Sequence, residues 1–152
     1  MNPDAVTGAL AALDPGRSKC GLVRTDRERR HIDVALVISP ERTWQTLRQW
    51  RYEGGLGAVI LGNGTGSNAW QERLARELPV ILVDEYGTTL AARRRFWDLE
   101  PPRGWRRLLP QGLRQPPRDW DDVVAQLLLE RWLGHPLPRL VPLSAARRRP
   151  EP

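Results

Sequence analysis

Three segments of this chain set carboxylates against apolar runs, and they carry the chemistry it has to offer. Asp14 ends the run Gly8-Ala9-Leu10-Ala11-Ala12-Leu13, Asp84-Glu85 follows Val80-Ile81-Leu82-Val83, and Asp121-Asp122 opens an apolar stretch that begins at Val123. A charge at the end of a buried run is costly unless something pairs with it. A divalent cation is one such partner, because carboxylate oxygens suit Mg²⁺. If the strands ending at Asp14 and before Glu85 are neighbours, a helix packed across that edge brings Asp121 beside them. Three converging carboxylates repel one another unless a cation sits between them. Two Mg²⁺ ions about 3.5–4 Å apart would then activate water and stabilise the leaving oxygen in phosphodiester hydrolysis. The plainer alternatives are that Asp14 opens a type I turn with Pro15 next, and that Asp84 pairs with an arginine.

The basic residues point to the partner. The chain has 152 residues and a net charge of +6, and Lys19 is its one lysine. Between Tyr86 and Arg118 stand eight arginines against two acids, so that this segment holds the whole net charge. A neutral body with one basic segment suits an anionic partner, most simply nucleic acid. The candidate phosphate contacts are Lys19, Arg93, Arg94, Arg95, Arg103, Arg106, Arg107, Arg114 and Arg118. The alternative is a solvated arginine-rich face. Trp97, Trp105 and Trp120 are candidates for base stacking or for core packing.

The elements that must position these groups follow from pattern. Strands are expected near 8–14 and 20–25 and over 31–38, joined by short turns as an antiparallel meander. Ser39-Pro40 starts a helix, with serine as N-cap and proline in the first turn, and Gly54-Gly55 ends it. Residues 58–61 and 80–83 read as buried strands around a helix at about 68–78. Thr88 or Thr89 caps a further helix that reaches about Trp97. The alternation of strands and helices implies parallel pairing in this half. Residues 101–117 read as a long loop, and residues 119–133 as the last helix, stopped by Gly134. The domain organisation expected is a flexible arm over 1–7, one α/β domain over 8–135, and a Pro/Arg-rich tail over 136–152 that is disordered.

Composition excludes several classes. No apolar run approaches the roughly 20 residues of a membrane helix, and the first residues lack the basic start and apolar core of a secretory leader. One cysteine and two histidines leave no internal disulfide and no zinc site. The expectation is a cytoplasmic protein without membrane contact, monomeric or homodimeric. Residues 58–85 also imitate a dinucleotide-binding βαβ unit. Ser67 stands where that fingerprint has its third glycine, and no second βαβ half follows.

Three motifs together resemble the YqgF/RuvX family: Asp14-Pro15-Gly16-Arg17-Ser18-Lys19-Cys20-Gly21, Val83-Asp84-Glu85-Tyr86-Gly87-Thr88-Thr89-Leu90-Ala91-Ala92, and Trp120-Asp121-Asp122-Val123-Val124-Ala125. Gln111-Gly112-Leu113-Arg114-Gln115-Pro116-Pro117-Arg118 resembles the cyanobacterial branch. The resemblance covers about residues 8–135. It implies a ribonuclease H-like fold, with a mixed five-stranded sheet flanked by helices. It implies a metal-dependent endonuclease acting on structured RNA in 5′ maturation of pre-16S rRNA, or a Holliday junction resolvase-like enzyme acting on branched DNA. The residues carried over are Asp14, Glu85 and Asp121 for catalysis. The same three would hold Mg²⁺ or Mn²⁺, with Asp122 sharing or replacing Asp121, since helix neighbours point about 100° apart. Two positions depart from the family: Tyr86 stands where it usually has arginine, and Gly62-Asn63-Gly64-Thr65 where it usually has Gly-Leu-Pro. The latter resembles the corresponding domain of Tex transcription factors. A non-cleaving nucleic-acid-binding module of the same fold is the remaining alternative.

Overall fold

The computed structural model describes residues 2–64, 66–114, 116 and 118–140. Strands β1 (Ala9–Asp14), β2 (Cys20–Thr25) and β3 (Ile32–Ile38) are followed by helix α1 (Pro40–Glu53), strand β4 (Leu56–Gly62), helix α2 (Ser67–Ala75), strand β5 (Val80–Val83), helix α3 (Thr88–Leu99) and helix α4 (Asp121–Leu133). The five strands form one mixed sheet in the order β3-β2-β1-β4-β5. β1, β2 and β3 are the antiparallel meander, and β4 and β5 run parallel to β1. This is the α/β architecture that the ribonuclease H-like expectation required.

β1 is central, and its side chains are buried on both faces up to Leu13. Period two sends Leu10 and Ala12 to one face, where α4 covers them with Ala125, Leu128 and Leu129. Ala11 and Leu13 go to the other, where Leu47 and Trp50 of α1 and Leu74 of α2 pack. α3 lies against α4, through Phe96, Trp97 and Val123, rather than on the sheet. Ser39 caps α1 by accepting from the Arg42 N–H at 3.3 Å, and Gly54, at φ +83°, ends it.

Several boundaries differ from expectation. α3 starts at Thr88 behind Gly87, so neither threonine is its cap; the Thr88 hydroxyl instead donates to the Glu85 carbonyl at 2.6 Å. α2 ends at Ala75. The 101–117 loop contains two short 3-10 turns, Gly104–Leu108 and Gln111–Leu113. Among the described residues the arm is held at its end rather than loose: Val6 packs against the core, and Arg29 donates to the carbonyls of Val6 and Gly8. Residues 136–140 belong to the fold. Leu137 is buried, and the β3 residue Ile32 exchanges backbone hydrogen bonds with Pro138 and Leu140. The rest of the expected tail, residues 141–152, lies outside the described residues. Among those described, no helix is long and apolar enough to cross a membrane.

Candidate active site

Parallel strands put their carboxyl ends on one sheet edge, and the candidate carboxylates gather there. By alternation along β1, Asp14 lies with Leu10 and Ala12 on the face that α4 covers. Two glycines flank it. Gly21 is its partner on β2, and Gly62 on β4 stands one residue beyond the last paired positions, Leu13 and Leu61. Both glycines leave room that a neighbour fills. A Cβ at Gly21 would collide with the Asp121 carbonyl, because the first turn of α4 rests on the Gly21 backbone. A Cβ at Gly62 would come within 2.6 Å of Glu85 Oε2, and one at Gly64 would overlap the same carboxylate. The missing side chains thus admit Asp121 from one side of Asp14 and Glu85 from the other.

The backbone around Glu85 is held from three directions. Its N–H donates to Asn63 Oδ1 at 3.2 Å, and its carbonyl accepts from the Thr88 N–H at 3.0 Å. Arg131 of α4 donates to the carbonyls of Asp84 and Tyr86, both at 2.9 Å. Asp84 is exposed, and its carboxylate accepts from the Tyr86 N–H at 3.0 Å. That is a turn contact rather than the arginine pair considered for it.

The electrostatics follow from this crowding. Burial, and then the charges of Asp121 and Glu85, raise the Asp14 carboxyl to about 7. Burial also raises Asp121, against the opposing pull of Lys19. Lys19 Nζ lies 2.7 Å from Asp119 Oδ1, so the lysine is engaged beside the acids. Among the described residues, no group of three or more His, Cys, Asp or Glu side chains is arranged to hold a metal ion. The three carboxylates interact, but they do not form a closed ligand set.

Asp122 has a different place from Asp121. It is fully buried and paired with Arg118 at 2.8 Å and Arg139 at 2.9 Å. Those two guanidiniums take both of its oxygens, so Asp122 is an ion-pair partner and not an open ligand. The same contact removes Arg118 from the surface. Arg95 pairs with Glu130 at 3.0 Å. Arg93 donates to the carbonyls of Gly112 and Arg114, and Arg114 to those of Arg106 and Leu109. Of the candidate phosphate contacts, Arg94, Arg103 and Arg107 are exposed and Arg106 is half-buried. Trp97 is core, Trp120 packs against the α3–α4 cluster, and Trp105 is exposed.

Among its described residues, the glycine loop after β4 is set against acid. The Glu85 carboxylate lies against Gly62 and Gly64, where a pyrophosphate would meet like charge. Sequence reasoning does not single out Gly21, Gly62, Gly64 or Asn63 as site residues. The available signal is a glycine near the site end of each strand that flanks β1. No protein-family model and no curated protein matches the chain.

Proposed function

We propose that the chain is a metal-dependent endonuclease acting on structured RNA, with 5′ maturation of pre-16S rRNA the role implied by its resemblance to the YqgF/RuvX family. The observation that carries this reading is the convergence of Asp14, Glu85 and Asp121 from three elements onto one sheet edge. Hard oxygen donors crowded until one resists ionisation are suited to Mg²⁺ or Mn²⁺. Asp14, Glu85 and Asp121 would hold the cation. When bound, it supplies water activation and stabilisation of the leaving oxygen. The glycines flanking Asp14 keep the acids together, and exposed arginines of the 86–118 segment attract the phosphate backbone.

A second reading is a nucleic-acid-binding module of the same fold that does not cleave. It is favoured by Tyr86, which stands exposed beside Glu85 where the YqgF/RuvX pattern usually has arginine. A DNA-junction substrate is the other enzymatic version. One experiment separates them: pre-16S rRNA and a four-way DNA junction are incubated side by side with Mg²⁺, with Mn²⁺ and with chelator, using the wild-type chain and Asp14→Asn. The nuclease reading expects metal-dependent RNA cleavage that falls by several orders of magnitude in the variant, while RNA affinity holds. Full cleavage by Asp14→Asn would sink the catalytic assignment. Binding without cleavage under either metal establishes the silent module.

A further inference from the structure

Trp105 is 64% exposed, in a protein that buries Trp50 and Trp97 in its core. The Arg106 guanidinium lies over its ring, 5.0 Å from the centroid. Arg103 and Arg107, two residues before and two after it in the chain, are exposed, as is Leu108. This segment is not a loose loop. Arg93 reaches from α3 to the carbonyls of Gly112 and Arg114, and Arg114 reaches back to those of Arg106 and Leu109. Two arginines thus fix the backbone of a turn that exposes an indole with one guanidinium over it and two further arginines close in sequence. The exposed arginines favour an anionic partner over a purely apolar one. A nucleotide in an unpaired strand offers a flat base for the indole and phosphates for the nearby guanidiniums.

We propose that Trp105, with Arg103 and Arg107, is a stacking platform for an unpaired nucleic-acid strand, so that the substrate presents a single-stranded segment beside its structured part. The proposal rests on the nucleic-acid reading above and adds the substrate class to it. The segment leads through Arg118 and Asp119 directly into Asp121, which ties the platform in sequence to the acid cluster.

The test is fluorescence anisotropy across a salt series, with a labelled RNA of about 12 nucleotides, within the span such surfaces cover, and with its duplex. Chelator is present so that no cleavage intervenes. The proteins are the full chain, Trp105→Ala, Trp105→Phe and the double variant Arg103→Gln/Arg107→Gln. Expected are tighter binding of the single strand than of the duplex and a roughly tenfold loss in Trp105→Ala. Trp105→Phe should keep most of the affinity, and Trp105→Ala should leave the salt slope unchanged. The double variant should flatten that slope by about 0.7 for each lost contact. Melting temperature and light scattering accompany each protein. Unchanged single-strand affinity in Trp105→Ala overturns the proposal, as does a Trp105→Ala effect confined to self-association, which would make this a surface for a second copy. Because binding is read without metal, a protein that binds as expected but never cleaves removes the nuclease reading and leaves this one standing.

Discussion

Asp14 concentrates the strain of the site. Its carboxyl is raised to about 7, first by burial and then by Asp121 and Glu85, whereas the unfolded chain releases that proton near 4. Below about pH 4 both states hold the proton. Between about 4 and 7 the folded chain keeps it and the unfolded chain does not, so this residue's contribution to stability falls as pH rises and stays low above 7. Urea midpoints measured in chelator from pH 4 to 8 should therefore decline more steeply for wild type than for Asp14→Asn. At pH 8 the variant should be the more stable, and Mg²⁺ should raise the wild-type midpoint but not the variant's. Gly64 makes a related prediction. A methyl there overlaps the Glu85 carboxylate, which is the end of a flexible side chain. Gly64→Ala should move the melting temperature little yet lower cleavage about a hundredfold, since displacement of about 1 Å costs that much in a reacting site. Wild-type rates in Gly64→Ala would show that Glu85 does not work where it lies.

At the scale of elements, α4 decides the geometry, and its first turn is anchored twice. Its backbone rests on Gly21, and Asp122 pairs with Arg118 and Arg139, all three side chains almost wholly buried. Removing one member of a buried ion cluster leaves charge uncompensated and costs about 3–5 kcal/mol. Asp122→Ala should accordingly lower the melting temperature by roughly 10 °C, at about 2–4 °C per kcal/mol in a chain of this size. A drop of only a degree or two, with cleavage lost, would instead return Asp122 to the ligand set.

At the scale of the molecule, the chain after α4 closes the fold. Leu137 joins the cluster between the sheet and α4, its N–H donates to Glu130 Oε2 at 2.5 Å, and Pro138 and Leu140 bond the edge residue Ile32. Leu137→Ala should destabilise by about 2–5 kcal/mol, the range for buried leucine truncation, read as a lowered urea midpoint with an unchanged slope. A midpoint equal to wild type would mean that residues 136–140 dock without contributing to the core.

Local pattern determined the elements: the short turns of the β1–β3 meander, the Ser39-Pro40 start of α1 and the Gly134 stop of α4 all act within a turn or two of the chain. It also determined which residues gather charge, because Asp14, Glu85 and Asp121 each lie beside an apolar run. Tertiary structure decided what each charge faces. Nothing local distinguishes Asp121 from Asp122, and only the packing of α4 on Gly21 sends one toward Asp14 and the other to two arginines. Nothing local marks Arg93, Arg95, Arg114 and Arg118 as structural while Arg103 and Arg107 stay exposed. Their partners lie anywhere from 1 to 42 residues away along the chain, and the role of a long flexible cation is set by whichever acceptor the fold brings within its reach.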